Sequence, residues 1–115
     1  MTVDKMWIFT TNGFISIVEH RDEPDRLLVR ARTPRPLEEL WPNHEIITLE
    51  DADYRFRILA QRESVLDVVS DLVLSIDYDN FKNECFDHPE YLRSLGSVWR
   101  VMYDYQSRVG DRNEG

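Results

Sequence analysis

The spacing of the apolar residues changes near Glu63 from every second position to every third or fourth position. Up to that point short runs alternate between apolar and polar residues, as half-buried β-strands do, and beyond it the apolar residues follow the 3.6-residue period of an amphipathic helix. We therefore predict an α+β fold, in which a mainly antiparallel sheet of about five strands carries two C-terminal helices on one face and one short helix at an edge. A ferredoxin-like sheet with an added N-terminal hairpin is the nearest simple topology.

The dipeptide Asn12-Gly13 predicts a β-hairpin, because a two-residue type I′ turn needs positive φ at both positions. The turn would join strands over residues 6–11 and 14–21 and place Thr11 opposite Phe14. Both faces of this hairpin are apolar, whereas a hairpin with one solvated face alternates apolar and polar residues. The hairpin is therefore predicted either to lie between two layers or to expose an apolar face to a partner.

Three further strands and a short helix are predicted before the change of period. Alternating patterns place the strands at 27–32, 45–50 and 54–61, and the last two form a second hairpin. Prolines at 34, 36 and 42 confine the short helix to the segment around Leu37 to Trp41, since proline is tolerated in a first helical turn and stops a helix elsewhere.

Two longer helices are predicted in the C-terminal half. One apolar stripe spans 65–76 and another spans 92–103. The second helix is expected to begin near Pro89 and to end near Arg108, which leaves 109–115 as a frayed tail. Because 115 residues is the length of one ordinary domain, the whole chain is interpreted as a single α+β domain.

The composition favours a cytoplasmic protein. The single cysteine cannot form an intramolecular disulfide, which fits a reducing compartment. The N-terminus lacks the basic and apolar regions of a secretory signal, and the longest strongly apolar run, 65–76, is shorter than the roughly 20 residues of a bilayer span. We therefore expect neither export nor membrane association.

The formal net charge of −8 is concentrated in residues 63–90, which hold eight acids and one base. A protein with this charge repels nucleic acid and anionic membranes, so nucleic-acid binding would require a local basic surface. A protein partner or self-association is therefore the preferred interpretation.

An acidic segment with aromatic residues connects the two predicted helices, and we predict partner binding there by Asp77, Tyr78, Asp79 and Phe81. The competing interpretation packs the rings between helices and sheet and leaves the acids solvated. The spacing does not match a calcium loop, because Phe81 occupies the fifth position and glycine is absent from the sixth. We predict no metal site and no cofactor.

Two pairs of arginines alternate along predicted strands, Arg30 with Arg32 and Arg55 with Arg57. If those strands are neighbours, four guanidinium groups share one face and can hold a phosphate or a carboxylate. This gives the alternative function, a nucleic-acid or nucleotide binder. The competing interpretation pairs these arginines with Glu19, Glu50 or Asp53 on the solvated side of the sheet.

No catalytic residue is predicted. The three histidines are far apart in sequence, the four glycines are solitary, and Cys85 has no glycine-rich or histidine-bearing frame around it. An enzyme is therefore not expected. A metal-dependent hydrolase built on the acidic cluster is the second alternative, and it would need a divalent cation.

Three segments, 6–18, 51–55 and 76–82, carry a resemblance to a group of small bacterial proteins of unknown function. The likeness covers most of the chain, from Met6 to about Tyr105. It implies a bacterial, cytosolic, stand-alone domain and carries no activity, cofactor or catalytic residue. The charge pattern and the lack of a catalytic motif favour a non-enzymatic interaction or regulatory module that binds a protein partner or a second copy of itself through the acidic connector or the N-terminal hairpin.

Overall fold

The computed structural model describes residues 5–111, with side chains described for residues 6–110. The chain divides into two compact units, Met1–Asp77 and Tyr78–Gly115.

The first unit is built on a five-stranded sheet in which every neighbouring pair is antiparallel, in the order β1-β2-β3-β5-β4. The strands are β1 (Lys5–Thr10), β2 (Gly13–Glu19), β3 (Arg26–Ala31), β4 (Ile47–Thr48) and β5 (Phe56–Gln61). The predicted α+β class and strand number are confirmed. Because β3 and β4 both pair antiparallel with β5, they run parallel to each other with β5 between them, which is the arrangement of a split βαβ unit in a ferredoxin-like sheet. The strand on the other side of β3 is β2, which precedes β3 in the chain, and β1 extends the sheet beyond it.

The N-terminal hairpin forms, but its turn lies one residue earlier in the chain than predicted. Thr10 pairs with Gly13 and Phe9 with Phe14, so the turn residues are Thr11 and Asn12. The Thr10 side chain explains the shift, because its Oγ1 accepts hydrogen bonds from the N–H groups of Asn12 and Gly13 at 3.0 and 3.1 Å. Each residue of β1 therefore has a partner two positions earlier in β2, and the residues of each face stay together.

Two helices pack against this sheet. Helix α1 (Arg35–Leu40) contacts β2 and β3, and helix α2 (Arg62–Leu74) contacts β3 and β5. Leu37 of α1 is fully buried in the core, so this helix covers central strands rather than the edge that was predicted. The core cluster contains Ile15, Ile17, Val29, Ala31, Leu37, Trp41, Ile58, Ala60 and Val65.

The strand register separates the sheet residues into two faces. One face carries the apolar core residues, and the other carries a row of Trp7, Ser16, Arg30 and Arg57, which lie side by side on four adjacent strands. Ser16 is completely buried although it faces away from the core cluster. Trp7, in the same row, is 65% exposed, so this face of the hairpin is covered only in part.

The second unit consists of a 3₁₀ helix (Lys82–Cys85) and the long helix α3 (Pro89–Asp111), which pack against each other. Helix α3 begins at the predicted proline and continues through Asp111. The prediction that the chain frays from residue 109 is therefore wrong for 109–111, and the rest of that tail, 112–115, lies outside the described residues.

Candidate functional site

Two of the predicted arginines lie directly opposite each other on adjacent strands. Arg30 of β3 pairs with Arg57 of β5, and Ser16 of β2 is the partner of Arg30 on its other side. Side chains at directly opposed positions have Cβ atoms about 5 Å apart and share a face. The sheet therefore brings two guanidinium groups together on the face opposite the core.

Hydrogen bonds and an aromatic ring fix both guanidinium groups. Arg30 Nη2 donates a hydrogen bond to Ser16 Oγ at 2.9 Å, and Arg57 Nη2 donates one to the Tyr54 carbonyl at 2.8 Å. The Arg30 Cζ atom lies 4.5 Å from the centroid of the Tyr54 ring, a cation–π contact. Both side chains are half-buried, so their positions are constrained by the surrounding residues.

The other two predicted arginines do not complete a four-arginine clamp. Arg32 forms an ion pair with Asp53 at 3.1 Å, and its guanidinium also covers the Tyr54 ring at 4.2 Å. Arg55 precedes β5 and is exposed. Of the competing interpretations, pairing with an acid describes Arg32, whereas the shared arginine face describes Arg30 and Arg57.

Tyr54 lies on the arginine face, although it alternates in sequence with Phe56 and Ile58. Strand β5 begins at Phe56, so the strand alternation does not extend back to Tyr54. Its ring lies 6.3 Å from the ring of Phe14 and is almost completely buried. The Tyr54 ring is thus part of the arginine site.

The predicted partner-binding residues of the acidic connector lie between α2 and the 3₁₀ helix. Asp77 and Asp79 are exposed, and neither carboxylate is in an ion pair with a residue that the structure describes. Among the four residues, the structure brings together Tyr78 and Phe81, whose ring centroids are 6.4 Å apart. Both rings are half-buried, so they are neither fully packed inside the protein nor fully exposed to a partner.

Helix α3 carries an apolar face that sequence analysis assigned to packing against the sheet. Its described charged side chains, Glu90, Arg93, Arg100, Asp104 and Arg108, all fall on one half of the helix. The other half has no charge. Leu95 is buried, whereas from Trp99 onward this uncharged half is exposed except at Val109, which is half-buried, and Trp99 and Met102 are 55% and 54% exposed.

Aromatic contacts hold the exposed tryptophan of α3 in place. The Trp99 ring stacks on the Tyr103 ring with centroids 5.3 Å apart, and Lys82 Nζ lies 5.1 Å from the centre of the indole ring. Offset stacking at this distance is a favourable geometry for two aromatic rings. The apolar face is therefore a defined surface, with Trp99, Met102, Tyr103 and Tyr105 as its exposed members.

A groove of about 700 Å³ in the first unit separates the β2–β3 turn from the start of α2. Both arginines that line it are already paired, since Arg26 contacts Glu23 at 3.5 Å and Arg62 contacts Glu19 at 2.7 Å. Across the described residues, 5–111, there is no group of three or more His, Cys, Asp or Glu side chains that could hold a metal ion.

The hydroxyl group of Tyr91 is clearly perturbed by its surroundings. Burial raises the pKa of the Tyr91 hydroxyl well above its ordinary range, and the charge of the Cys85 thiolate adds to the rise. Both residues belong to the second unit, where Cys85 is fully buried.

The fold and these surfaces define a small α+β protein with an arginine site on its sheet and an uncharged, exposed face on a separate helix. Comparison with protein-family models, with curated proteins and with solved structures finds no match to the chain. In the portion that the structure describes, no helix has the length and apolar character needed to cross a membrane.

Proposed function

We propose that this protein is a non-enzymatic protein-interaction module that associates with a second copy of itself through the uncharged face of α3. The observation that carries the proposal is the complete separation of charge on this helix, combined with the exposure of its apolar half beyond Leu95. Exposed apolar patches of this kind mark interaction sites in soluble proteins.

The spacing of the apolar residues supports a helix as the partner. Counted from Leu92, residues 92, 95, 99, 102, 106 and 109 are three and four positions apart in turn, which is the a/d pattern of paired helices. Gln106 is the polar residue in this series, and the other five members are apolar.

The residues beside this seam favour an identical partner. The flanking e and g positions of paired helices set partner choice through their charges. Here they are Tyr91, Gly96, Val98, Tyr103, Tyr105 and Gly110, none of which is charged at neutral pH. A second copy of α3 therefore meets no like charge in either orientation, whereas a strongly charged partner helix would find no opposite charge.

The test is the molar mass of the whole chain in solution, measured by light scattering during size-exclusion chromatography over a range of protein concentrations. The two variants are Met102→Glu, on the uncharged face, and Val101→Glu, the matched control on the charged face. Both residues are exposed, so both variants are expected to fold.

We expect the wild type and Val101→Glu to form dimers and Met102→Glu to be monomeric. A glutamate in the seam would have to be desolvated opposite its own copy, whereas a glutamate at 101 remains in water. A monomeric wild type at every concentration, or equal weakening in both variants, would show that α3 does not mediate self-association.

A further inference from the structure

We propose that Arg30 and Arg57 form a binding site for a phosphate group of a small molecule, either free phosphate or a phosphate monoester. This site lies on the sheet of the first unit and is independent of the interaction proposed for α3. The argument rests on the position, the fixed orientation and the unbalanced charge of the two guanidinium groups.

The register forces these two positive charges together. Because Arg30 and Arg57 are directly opposed on neighbouring strands, their side chains leave the sheet side by side on the same face. Like charges in such positions are destabilising unless a counter-charge is present. Two arginines at this place are therefore costly for the fold alone and are more easily understood as half of a charge pair.

The described part of the chain supplies no acid to balance them. Of the three acids that sequence analysis offered as partners, Asp53 pairs with Arg32 and Glu19 pairs with Arg62. The third, Glu50, forms no ion pair with a described residue. Across residues 6–110, neither Arg30 nor Arg57 has a carboxylate oxygen within 4.0 Å.

Both arginines also have a hydrogen-bond donor that the protein does not use. The Nε atoms of Arg30 and Arg57 are buried and have no hydrogen-bond partner among the described residues. Buried donors in native proteins nearly always have an acceptor. The oxygens of a phosphate group are acceptors that match the planar fork of a guanidinium group.

The surrounding residues orient the site before a ligand arrives. Ser16 Oγ accepts a hydrogen bond from Arg30, the Tyr54 carbonyl accepts one from Arg57, and the Tyr54 ring lies against Arg30. These contacts reduce the loss of side-chain entropy that binding would otherwise require. Ser16 is completely buried in an otherwise apolar strand. Its hydrogen bond from Arg30 explains why a serine, rather than an apolar residue, occupies this position.

Charge selects a phosphate group over a carboxylate and a small ligand over a nucleic acid. A phosphate monoester carries about −1.5 to −2 charges at pH 7, which matches two guanidinium groups, whereas one carboxylate is matched by a single arginine. The net charge of −8 opposes the approach of a polyanion, whose many phosphates would meet the acids of the rest of the protein.

The experiment uses the whole ¹⁵N-labelled chain and follows the Nε–H signals of its arginines by NMR. Inorganic phosphate and glycerol phosphate are titrated separately at pH 7, with sodium chloride adjusted to keep the ionic strength constant. Arg30→Gln and Arg57→Gln test the site. Arg26→Gln is the control, because Arg26 is on the same strand, loses the same charge and is paired with Glu23.

We expect saturable shifts of the Arg30 and Arg57 signals. Each site variant should weaken binding at least about tenfold, the effect of losing one charge-assisted hydrogen bond, and Arg26→Gln should bind as the wild type does. Tighter binding of glycerol phosphate would assign the site to a phosphate monoester, and tighter binding of inorganic phosphate would assign it to the free ion.

Three results would overturn the proposal. The first is the absence of a saturable shift of the Arg30 and Arg57 signals while the backbone spectrum shows a folded protein. The second is that sodium chloride alone shifts these signals as much as phosphate does. The third is tighter binding of a DNA oligonucleotide than of glycerol phosphate through the same two arginines. None of these results depends on whether α3 forms a dimer.

Discussion

Gly13 and Pro36 lie so close together that a Cβ atom built on Gly13 would be 3.0 Å from the Cγ atom of Pro36. Gly13 begins β2 and Pro36 belongs to the first turn of α1, so this contact seats the short helix on the hairpin. The backbone of Gly13 has a φ of +141°, which residues with a side chain rarely adopt. Both the space and the conformation therefore require glycine.

Gly13→Ala is expected to lower the free energy of unfolding by about 1–3 kcal/mol, because the added methyl group combines backbone strain with a steric clash. The measurement is urea unfolding followed by circular dichroism. The matched control is Gly96→Ala in α3, where a Cβ atom has nothing within 4 Å. The free energy of unfolding of Gly96→Ala should rise by about 0.5–1 kcal/mol, because alanine has a higher helix propensity than glycine. A Gly13→Ala protein as stable as the wild type would contradict the prediction.

Ile58 lies in the middle of β5 and is completely buried in the core cluster. Ile58→Ala should lower the free energy of unfolding by about 2–5 kcal/mol, since it removes buried apolar contacts and leaves a cavity. Leu66→Ala, at a residue of α2 that is 63% exposed, is the control and should change stability by less than about 1 kcal/mol. Equal losses in urea unfolding would place the core elsewhere.

The elements of this fold follow from local patterns, whereas the features that depend on a particular contact do not. The change of period near residue 63 correctly separates sheet from helices, and the second hairpin pairs as expected. The hairpin register could not be obtained from Asn12-Gly13 alone, because the hydroxyl of Thr10 stabilises a turn one residue earlier. A side-chain hydrogen bond of this kind competes with the intrinsic preference of the turn residues.

The arginine site could be predicted in part. Alternation placed Arg30 and Arg57 on strands, but only the sheet order, β3 beside β5, makes them neighbours. Strand order is a long-range property that a local pattern does not contain. The uncharged half of α3 is visible in the sequence as an apolar stripe. The positions beside that stripe also carry no charge, which indicates pairing with another helix rather than simple core packing.

Arg62 links the start of α2 to the hairpin through two surface contacts. Its Nη2 atom donates to Glu19 Oε2 at 2.7 Å, and its Nε atom donates to the Pro24 carbonyl at 3.0 Å. Because both charged side chains are about half exposed, Arg62→Gln should cost less than about 1 kcal/mol. The loss should shrink further in high salt, as screening weakens exposed ion pairs. A loss above about 2 kcal/mol in urea unfolding, unaffected by salt, would contradict this reading of the pair as a surface contact.

The raised pKa of the Tyr91 hydroxyl predicts that stability falls in alkaline solution. An unfolded tyrosine ionises near pH 10, whereas Tyr91 stays protonated in the folded protein above that pH, chiefly because it is partly buried. The contribution to stability is therefore fully present below about pH 10 and is lost progressively as the pH rises above it. The loss can be at most about 1.4 kcal/mol per pH unit, and the partial exposure of the ring makes it smaller.

Tyr91→Phe removes the titrating group. Between about pH 8 and pH 11 the free energy of unfolding should therefore fall more for the wild type than for the variant. The measurement is urea unfolding at a series of pH values. Tyr103→Phe is the control, because it removes a hydroxyl from an exposed residue of the same helix. Parallel pH profiles for wild type and Tyr91→Phe would mean that the second unit does not bury the Tyr91 hydroxyl in solution.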